Sequence, residues 1–428
     1  MPMRLAFDLM EKVAFSEGGA MQTQIAQVAI LGNGPIARSL ALALADTPVN
    51  MVMLDTLPRQ QAHPPQPDRT VALALGTRRL LQDLQVVLPL PDSAAIRTVQ
   101  ITQQGASGRV KLEAELLDSP EGILGEVGGL DHLGGALEMA LGRCTNLVQM
   151  ATGPVQDLQW HPDRVTLKWP ELQVEAELVV VADGGHGNLQ SLAHLQRLGW
   201  DHNRHAIVST VTPREKICGI AYEHFLDSGP LAFLPVADGR FSIVWSLRPA
   251  DASRILALPE GPFLEALNRQ RPRGLPPLIG SGPRSVYPLF FQRLWAQPQQ
   301  RMALVGNAAQ TIHPLAGQGY NLGLRDVITL AALLRRAAAG AEDTGNAGLL
   351  SDYARIRRRD RLETIAFTET MNRLFGTRLL PLRLVRAAAL GALERLPALK
   401  RELAGRLAGI RLPAASTIPD LITEPRHV

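Results

Sequence analysis

The chain has 428 residues, 46% hydrophobic and 20% charged, with a formal net charge of +4; at roughly 150 residues per domain it holds two or three domains, and it is too apolar to be disordered. Two cysteines, Cys144 and Cys218, exclude a disulfide framework or a cysteine-rich metal site, and the ten histidines show no H-E-x-x-H pattern and no cysteine neighbour, so no metal is expected. The excess charge belongs to one end: residues 351–412 carry fourteen Lys and Arg against six Asp and Glu, which favours an anionic surface over a small acidic substrate as partner.

Residues 1–24 contain Arg4, Asp8, Glu11 and Lys12 at intervals that leave no signal-peptide core, and are read as a poorly ordered extension with Met21 as a second in-frame start. No stretch reaches the ~18 apolar residues of a membrane span. In "QVAILGNGPIARSLALALA", residues 28–31 read as a short strand, Gly32-Asn33-Gly34 as a tight turn, and Ile36, Leu40, Ala43 and Leu44 as one helix face. "VNMVMLD" follows as a second strand ending at Asp55. This order is the Rossmann dinucleotide fingerprint. Gly32 permits the turn, Gly34 lets the backbone approach a pyrophosphate, and Pro35 forfeits an N–H that a helix start leaves unpaired. Ala37 replaces the third glycine and still allows close helix–strand packing; Asp55 would accept a ribose hydroxyl. The competing reading is an ordinary βαβ unit whose glycines serve only the turn.

Further along, residues 178–182 form a buried strand running into Asp183-Gly184. "FLPVADGRFSIVW" reads as a hairpin with Asp238-Gly239 at its turn. In "RMALVGNAAQTIHPLAGQGYNLGLRD", a strand ends at Gly306-Asn307, a glycine-rich loop follows, and a helix with Val327, Ile328, Ala331 and Leu334 on one face begins near Asn321. Several glycines between a strand and a helix suit a loop whose backbone touches a flat polar ligand.

The three motifs as a set, spanning residues 28–375, resemble the FAD-dependent aromatic hydroxylases, and "GNAAQ", "DRTVALALGTRRLL" and "GPLAFLPVADGRFSIVW" resemble the ubiquinone-biosynthesis branch, the 2-polyprenyl-6-methoxyphenol hydroxylases. The resemblance implies an α/β fold: a Rossmann-type FAD-binding domain (25–68, 132–202 and 288–350), interleaved with a mixed-sheet substrate domain (69–131 and 203–287), with C-terminal basic helices (351–428). It assigns Gly32, Gly34, Pro35, Ile36 and Ala37 to the ADP pyrophosphate loop, Asp55 to the ribose, and Asp183 and Gly184 to the DG motif near the pyrophosphate. Gly306 and Asn307 take the ribitol position, where the usual Asp is replaced by a neutral acceptor and weaker FAD retention is expected. Pro314, Gly317, Gln318, Gly319 and Asn321 fall beside the isoalloxazine ring. Gly187 and Gly135 stand where relatives often carry Ser and Gln or Arg.

Three residues are candidates for the chemistry: Arg69, which matches an arginine near the flavin or is a surface residue; His313, an acid–base group or a structural loop histidine; and Tyr287, a pocket wall or an ordinary strand residue. The implied activity is FAD- and NAD(P)H-dependent monooxygenation through a flavin C4a-hydroperoxide, converting a polyprenyl methoxyphenol to the 1,4-benzoquinol. A sister activity at another ring position and a non-catalytic scaffold subunit are the alternatives. Implied partners are the polyprenyl phenol, O2, and an anionic membrane surface or other ubiquinone-synthesis proteins, with no nucleic acid; the implied place is the cytoplasm, peripheral at the inner face of the membrane. Leu396, Leu399, Leu403, Leu407 and Ile410 recur at spacings of 3, 4, 4 and 3. This amphipathic helix either rests on anionic lipid or docks on the catalytic domain or a partner subunit.

Overall fold

Strands that are apolar on both faces need cover on both sides, and elements from both halves of the chain supply it. The structure, a computed structural model, describes residues 21–56, 69–105, 108–294, 300–312, 317–375 and 390–410. In chain order the first elements are β1 (Gln22–Leu31), α1 (Pro35–Ala43), β2 (Met51–Asp55), β3 (Thr70–Ala74), α2 (Leu75–Asp83), β4 (Ala94–Ile96), β5 (Thr98–Gln103), β6 (Arg109–Glu113), β7 (Gly125–Gly129), α3 (Leu130–Leu141), β8 (Leu147–Ala151), β9 (Asp157–Trp160), β10 (Val165–Lys168) and β11 (Leu172–Val181). After them come α4 (Leu189–Leu192), β12 (Arg197–Pro213), β13 (Ile220–Leu226), β14 (Gly229–Pro235), β15 (Phe241–Leu247), α5 (Pro249–Leu256), α6 (Glu260–Gln270), β16 (Leu278–Ser281), β17 (Ser285–Leu294), β18 (Met302–Leu304), β19 (Gln310–Thr311), α7 (Gln318–Ala339), α8 (Ala347–Phe375) and α9 (Pro397–Leu407).

The first sheet runs β8-β2-β1-β11, with β18 also on β11 and all of these parallel; β10 and β9 extend it antiparallel. Along β1, Val28 and Ile30 enter the core under α1, α3 and α7, while Ala29 and Leu31 enter the opposite core with Leu167 and Trp169. Each such buried Val, Leu or Ile contributes roughly 1.5–3 kcal/mol. β1 begins inside the stretch read as an extension: Gln22, Thr23 and Gln24 pair with Leu172, Gln173 and Val174. Ladder pairing uses the main chain, so these polar residues gave no apolar signal.

The second sheet runs β19-β17-β12-β15-β14-β13-β5-β6, with β16 on β12; only β13 and β5 pair in parallel. β12 begins before residue 203 and β17 ends after 287. β14 and β15 form the expected hairpin, with Asp238 at φ 63 and Gly239 at φ 73 in its turn. One face packs under α5 and α6 through Ala252, Ile255, Phe263 and Leu267. The other face, through Ile101, Leu112, Ala221 and Phe225, meets α9. A small sheet, β3-β7-β4, lies between the two systems: its Ala72 packs toward the second sheet's core and its Leu73 toward the first.

Candidate cofactor and substrate site

Strand register brings the three motifs to one edge. Leu31 pairs with Leu54 on one side and Val181 on the other, and Val181 pairs with Leu304. Gly32, Asp55, Asp183 and Gly306 therefore lie at or just past the carboxyl ends of four neighbouring parallel strands, where open α/β sheets bind ligands. Backbone bonds continue the alignment past the strands: Gly32 N–H donates to the Leu54 carbonyl (2.8 Å), Ala182 N–H to Leu31 (2.8 Å) and Val305 N–H to Val181 (3.1 Å).

The glycines at this edge do different work. Gly32 holds φ +120, and a Cβ there would lie 2.5 Å from the Ala182 carbonyl oxygen, so it lets the first turn press against the DG strand. Gly34 caps α1, and a Cβ built on it meets nothing within 4 Å. The α1 N-terminus has no side-chain cap and no acid in its first turn, with Pro35 at its start. Its N–H groups are left for an anion, which suits a pyrophosphate. Ile36 lies under the later motif: a Cβ on Gly306 would come within 3.2 Å of it, and one on Gly323 within 2.8 Å. Ala37 is fully buried, as close packing requires, and Asp55 is half-buried at the end of β2.

Arg38, which the sequence reading did not single out, fixes this loop. Its guanidinium donates to Asn33 Oδ1 (3.1 Å) and the Gly134 carbonyl (2.7 Å), and pairs with Glu138 (3.0 Å). Gly135, next to that contact, opens on space.

The DG turn is self-contained. Asp183 accepts from Gly185 N–H (2.7 Å) and Gly187 N–H (3.1 Å), and Gly184 sits at φ +71. Burial pushes the Asp183 carboxyl above its ordinary value, against those two bonds and the Arg197 charge. A Cβ at Gly187 would lie 2.2 Å from Asp183 Oδ2, so a serine there would require the Asp183 carboxylate to shift.

At the late motif, Asn307 is exposed at the strand edge. The unusual Gln310 donates to Asp326 Oδ2 (2.9 Å), as does Gly306 N–H (3.1 Å). Asp326 is fully buried, and its other oxygen accepts from Arg357 (2.7 Å) and Arg361 (3.0 Å). Burial alone would raise this carboxyl; Arg361 and Arg357 outweigh it and hold it below the ordinary carboxylate value. Asp360 pairs with Arg357 (2.6 Å) and Arg325 (3.0 Å), closing the network. The basic C-terminal end is therefore not a single anion-facing surface: part of its charge locks α8 onto α7. The spacing of Leu350, Tyr353, Arg357 and Asp360 is helical and marks this inner face.

His313 and Pro314 lie outside the described residues. α7 starts at Gln318, three residues before the expected Asn321. Gly317 caps it at φ +61, where a Cβ would lie 2.7 Å from the Ala72 methyl. Asn321 is not available to a ring as a side chain: it accepts from Ala74 N–H (3.0 Å) and donates to the carbonyls of Ala72 (3.0 Å) and Gly317 (2.8 Å). It ties α7 to β3. Gly319, in the first turn, opens on space, and this N-terminus too lacks a side-chain cap and an acid. Gly319→Val should fill that space and lower FAD occupancy of the purified protein at least tenfold, read from flavin absorbance; normal occupancy and turnover would contradict a ring resting there. Arg69 is exposed, with its guanidinium 5.8 Å from the centre of the Tyr287 ring, so these two candidates face each other.

Beyond α7 lies a cavity of about 220 Å³, walled by Ile101, Leu112 and Phe225 of the second sheet and by Leu403 and Leu407 of α9, and bordered by Gln318 and Asn321. The apolar stripe of α9 is divided: Ala404 is buried and Leu403 and Leu407 are partly buried against the sheet, whereas Leu396 (47%) and Leu399 (52%) remain exposed. The docked reading holds for its inner part. No helix among the described residues is long and apolar enough to cross a membrane.

Two uncapped helix starts, each with a glycine opening on space, and a ring of backbone turns at one sheet edge fit a dinucleotide whose pyrophosphate and ring both rest on main chain. Residues 25–368 match the FAD binding domain family. The ubiquinone hydroxylase UbiL of Rhodospirillum rubrum is 34% identical over 381 residues, 88% of each chain. The ubiquinone biosynthesis monooxygenase COQ6 of Xenopus tropicalis is 30% identical over 275 residues, covering 55% of this chain and 59% of that one. Among solved structures, p-nitrophenol 4-monooxygenase PnpA of Pseudomonas putida shares the fold, with a TM-score of 0.74 and 18% identity across 92% of this chain and all of that one. The chain belongs to the FAD binding domain family, as an FAD-dependent, NAD(P)H-using monooxygenase of the branch that contains the ubiquinone hydroxylases.

Proposed function

We propose that this protein hydroxylates the ring of a polyprenyl phenol in ubiquinone synthesis, converting a 2-polyprenyl-6-methoxyphenol to the 1,4-benzoquinol. The carrying observation is the aliphatic cavity that begins at the first turn of α7 and ends under α9. A prenyl tail is aliphatic and long, and a phenol at its head needs to reach the residues beside the flavin. The names of UbiL and COQ6 support the same substrate class.

On this reading, stretches 25–68, 132–202 and 288–350 bind FAD, 69–131 and 203–287 hold the substrate, and 351–428 is the C-terminal basic helical region. The N-terminus of α1 at Gly34 holds the pyrophosphate and Asp55 the ribose, with Asp183, Gly184, Gly306 and Asn307 lining the groove between. Gly317 to Gly319 and the positive end of α7 stabilise negative charge on the ring. Bound FAD, reduced by NAD(P)H, activates O2 and supplies the electrophilic oxygen. The balance is phenol, O2, NAD(P)H and a proton giving hydroxylated phenol, water and NAD(P)⁺. The sheet and α9 exclude water from the transfer. Exposed Leu399 and Arg401 of α9, with Arg395 and Leu396 just before it, give this end an outer edge suited to anionic lipid, where such a substrate resides.

Purified holoprotein given NADPH or NADH and a short-tailed prenyl methoxyphenol should yield a product one oxygen heavier, with the new hydroxyl para to the first by NMR. Oxygen at another carbon would establish the sister activity. A colourless protein that FAD cannot restore would establish the scaffold reading.

A further inference from the structure

The geometry points to Glu223 as the group that binds the substrate's phenolic hydroxyl and accepts its proton; this rests on the reading that the aliphatic cavity receives the substrate. Alternation along β13 turns Ala221, Glu223 and Phe225 toward the cavity, and Glu223 is the one carboxylate among its described lining residues. Among the described lining residues, none beside it is charged. Ile101 stands opposite on β5 and Ala232 on β14. α7 offers the amides Gln318 and Asn321, α8 offers Phe367, and α9 offers Leu403, Ala404 and Leu407. Tyr222, the other ionisable lining residue, donates its hydroxyl to the Gly274 carbonyl (3.4 Å). Lys400 of α9 is paired with Glu394 (3.2 Å).

Among the described residues, no hydrogen bond or ion pair reaches the Glu223 carboxyl. An unpartnered carboxyl in an aliphatic cavity is costly, and any apolar residue would serve the wall better. The cost is recovered when a ligand places a donor there. Burial raises the Glu223 carboxyl to about 7, the range in which a group both holds and accepts a proton near neutral pH. In the step, the phenol O–H bond breaks, a carboxyl O–H bond forms, and the electron pair left on the phenolate oxygen enriches the para carbon that takes the electrophilic oxygen. The proton then leaves to water as product departs.

The test compares Glu223→Gln, Glu223→Asp and Leu403→Trp with the wild-type holoenzyme, at matched FAD occupancy, with substrate dissociation constants from equilibrium dialysis. Leu403→Trp should fill the cavity and raise the dissociation constant at least tenfold. Glu223→Gln should lower kcat/KM by about 10²-fold or more and erase the rising limb of its pH profile near 7, while Glu223→Asp restores the limb in part. If Leu403→Trp weakens binding but Glu223→Gln keeps its rate within a few fold, or keeps the limb, the assignment of Glu223 is overturned and the cavity reading stands. If Leu403→Trp binds substrate as well as wild type, the cavity reading fails and the assignment with it.

Discussion

Gly32→Ala should leave a protein that binds FAD at least thirty-fold more weakly. Two independent costs converge at this position. The backbone sits at φ +120, a region that residues with a Cβ occupy at about 1–3 kcal/mol. The added methyl would also stand 2.5 Å from the Ala182 carbonyl oxygen and 2.9 Å from Asp183 N, both main-chain atoms of the DG strand. Neither can rotate away, so the first turn and the DG turn must separate. That moves the α1 N-terminus off the strand edge. Even about 2 kcal/mol of this cost, if expressed in binding, is close to a thirty-fold loss. Gly34→Ala is the informative companion. Its methyl meets nothing within 4 Å, so the thermal midpoint should hold while FAD titration weakens. If Gly32→Ala retains wild-type FAD affinity, the packing of the two turns does not shape the groove.

Asp326→Asn should destabilise the fold by about 3–5 kcal/mol, the usual cost of stranding a buried charge. Arg357 is fully buried, and its partners are Asp326 and Asp360. With Asp326 neutral, Asp360 is left to serve both Arg357 and Arg325. The pH dependence follows from the direction of the shift. Asp326 titrates lower folded than unfolded, where the value is about 3.9. Its contribution is therefore complete above about pH 4 and is lost as pH falls through the lower folded value. Urea melts of wild type should weaken in acid over that window, and the variant should start lower and lack this component. Because Gly306 N–H and Gln310 also end on Asp326, FAD retention should fall with stability. A variant as stable as wild type at pH 7 would show that the network carries no net stabilisation.

What sequence alone revealed was mainly what the main chain does. Apolar runs located β2, β18 and the carboxyl-terminal halves of β1 and β11, because strand segments covered on both faces are apolar at nearly every position. Gly32 and Gly317 were legible because their conformations and close approaches demand glycine, and Gly34 because its motif keeps open space at a helix start. Side-chain partners were not legible. Asp326, Arg357 and Asp360 look like surface charges in a line of text, since the pairs that join α8 to α7, Arg357 with Asp326 and Asp360 with Arg325, span 31 and 35 residues and leave no local pattern. Asn321 was read toward the ligand, whereas its side chain satisfies main-chain groups of β3 that an edge strand leaves unpaired. The α9 stripe showed an apolar face but not what it would meet, and the structure splits it between sheet and solvent. Glu223 was invisible for the opposite reason: a lone glutamate in a strand carries no signal until the walls around it are known.

The central claim is that three separated segments form one FAD site at a single strand edge. Hydrogen exchange of the apoprotein with and without one equivalent of FAD tests it directly. The account predicts that main-chain amides at 32–37, 183–187, 305–309 and 317–321 gain protection together, in proportion to bound flavin. FAD binding that protects only one of these segments, or none of them, would contradict it.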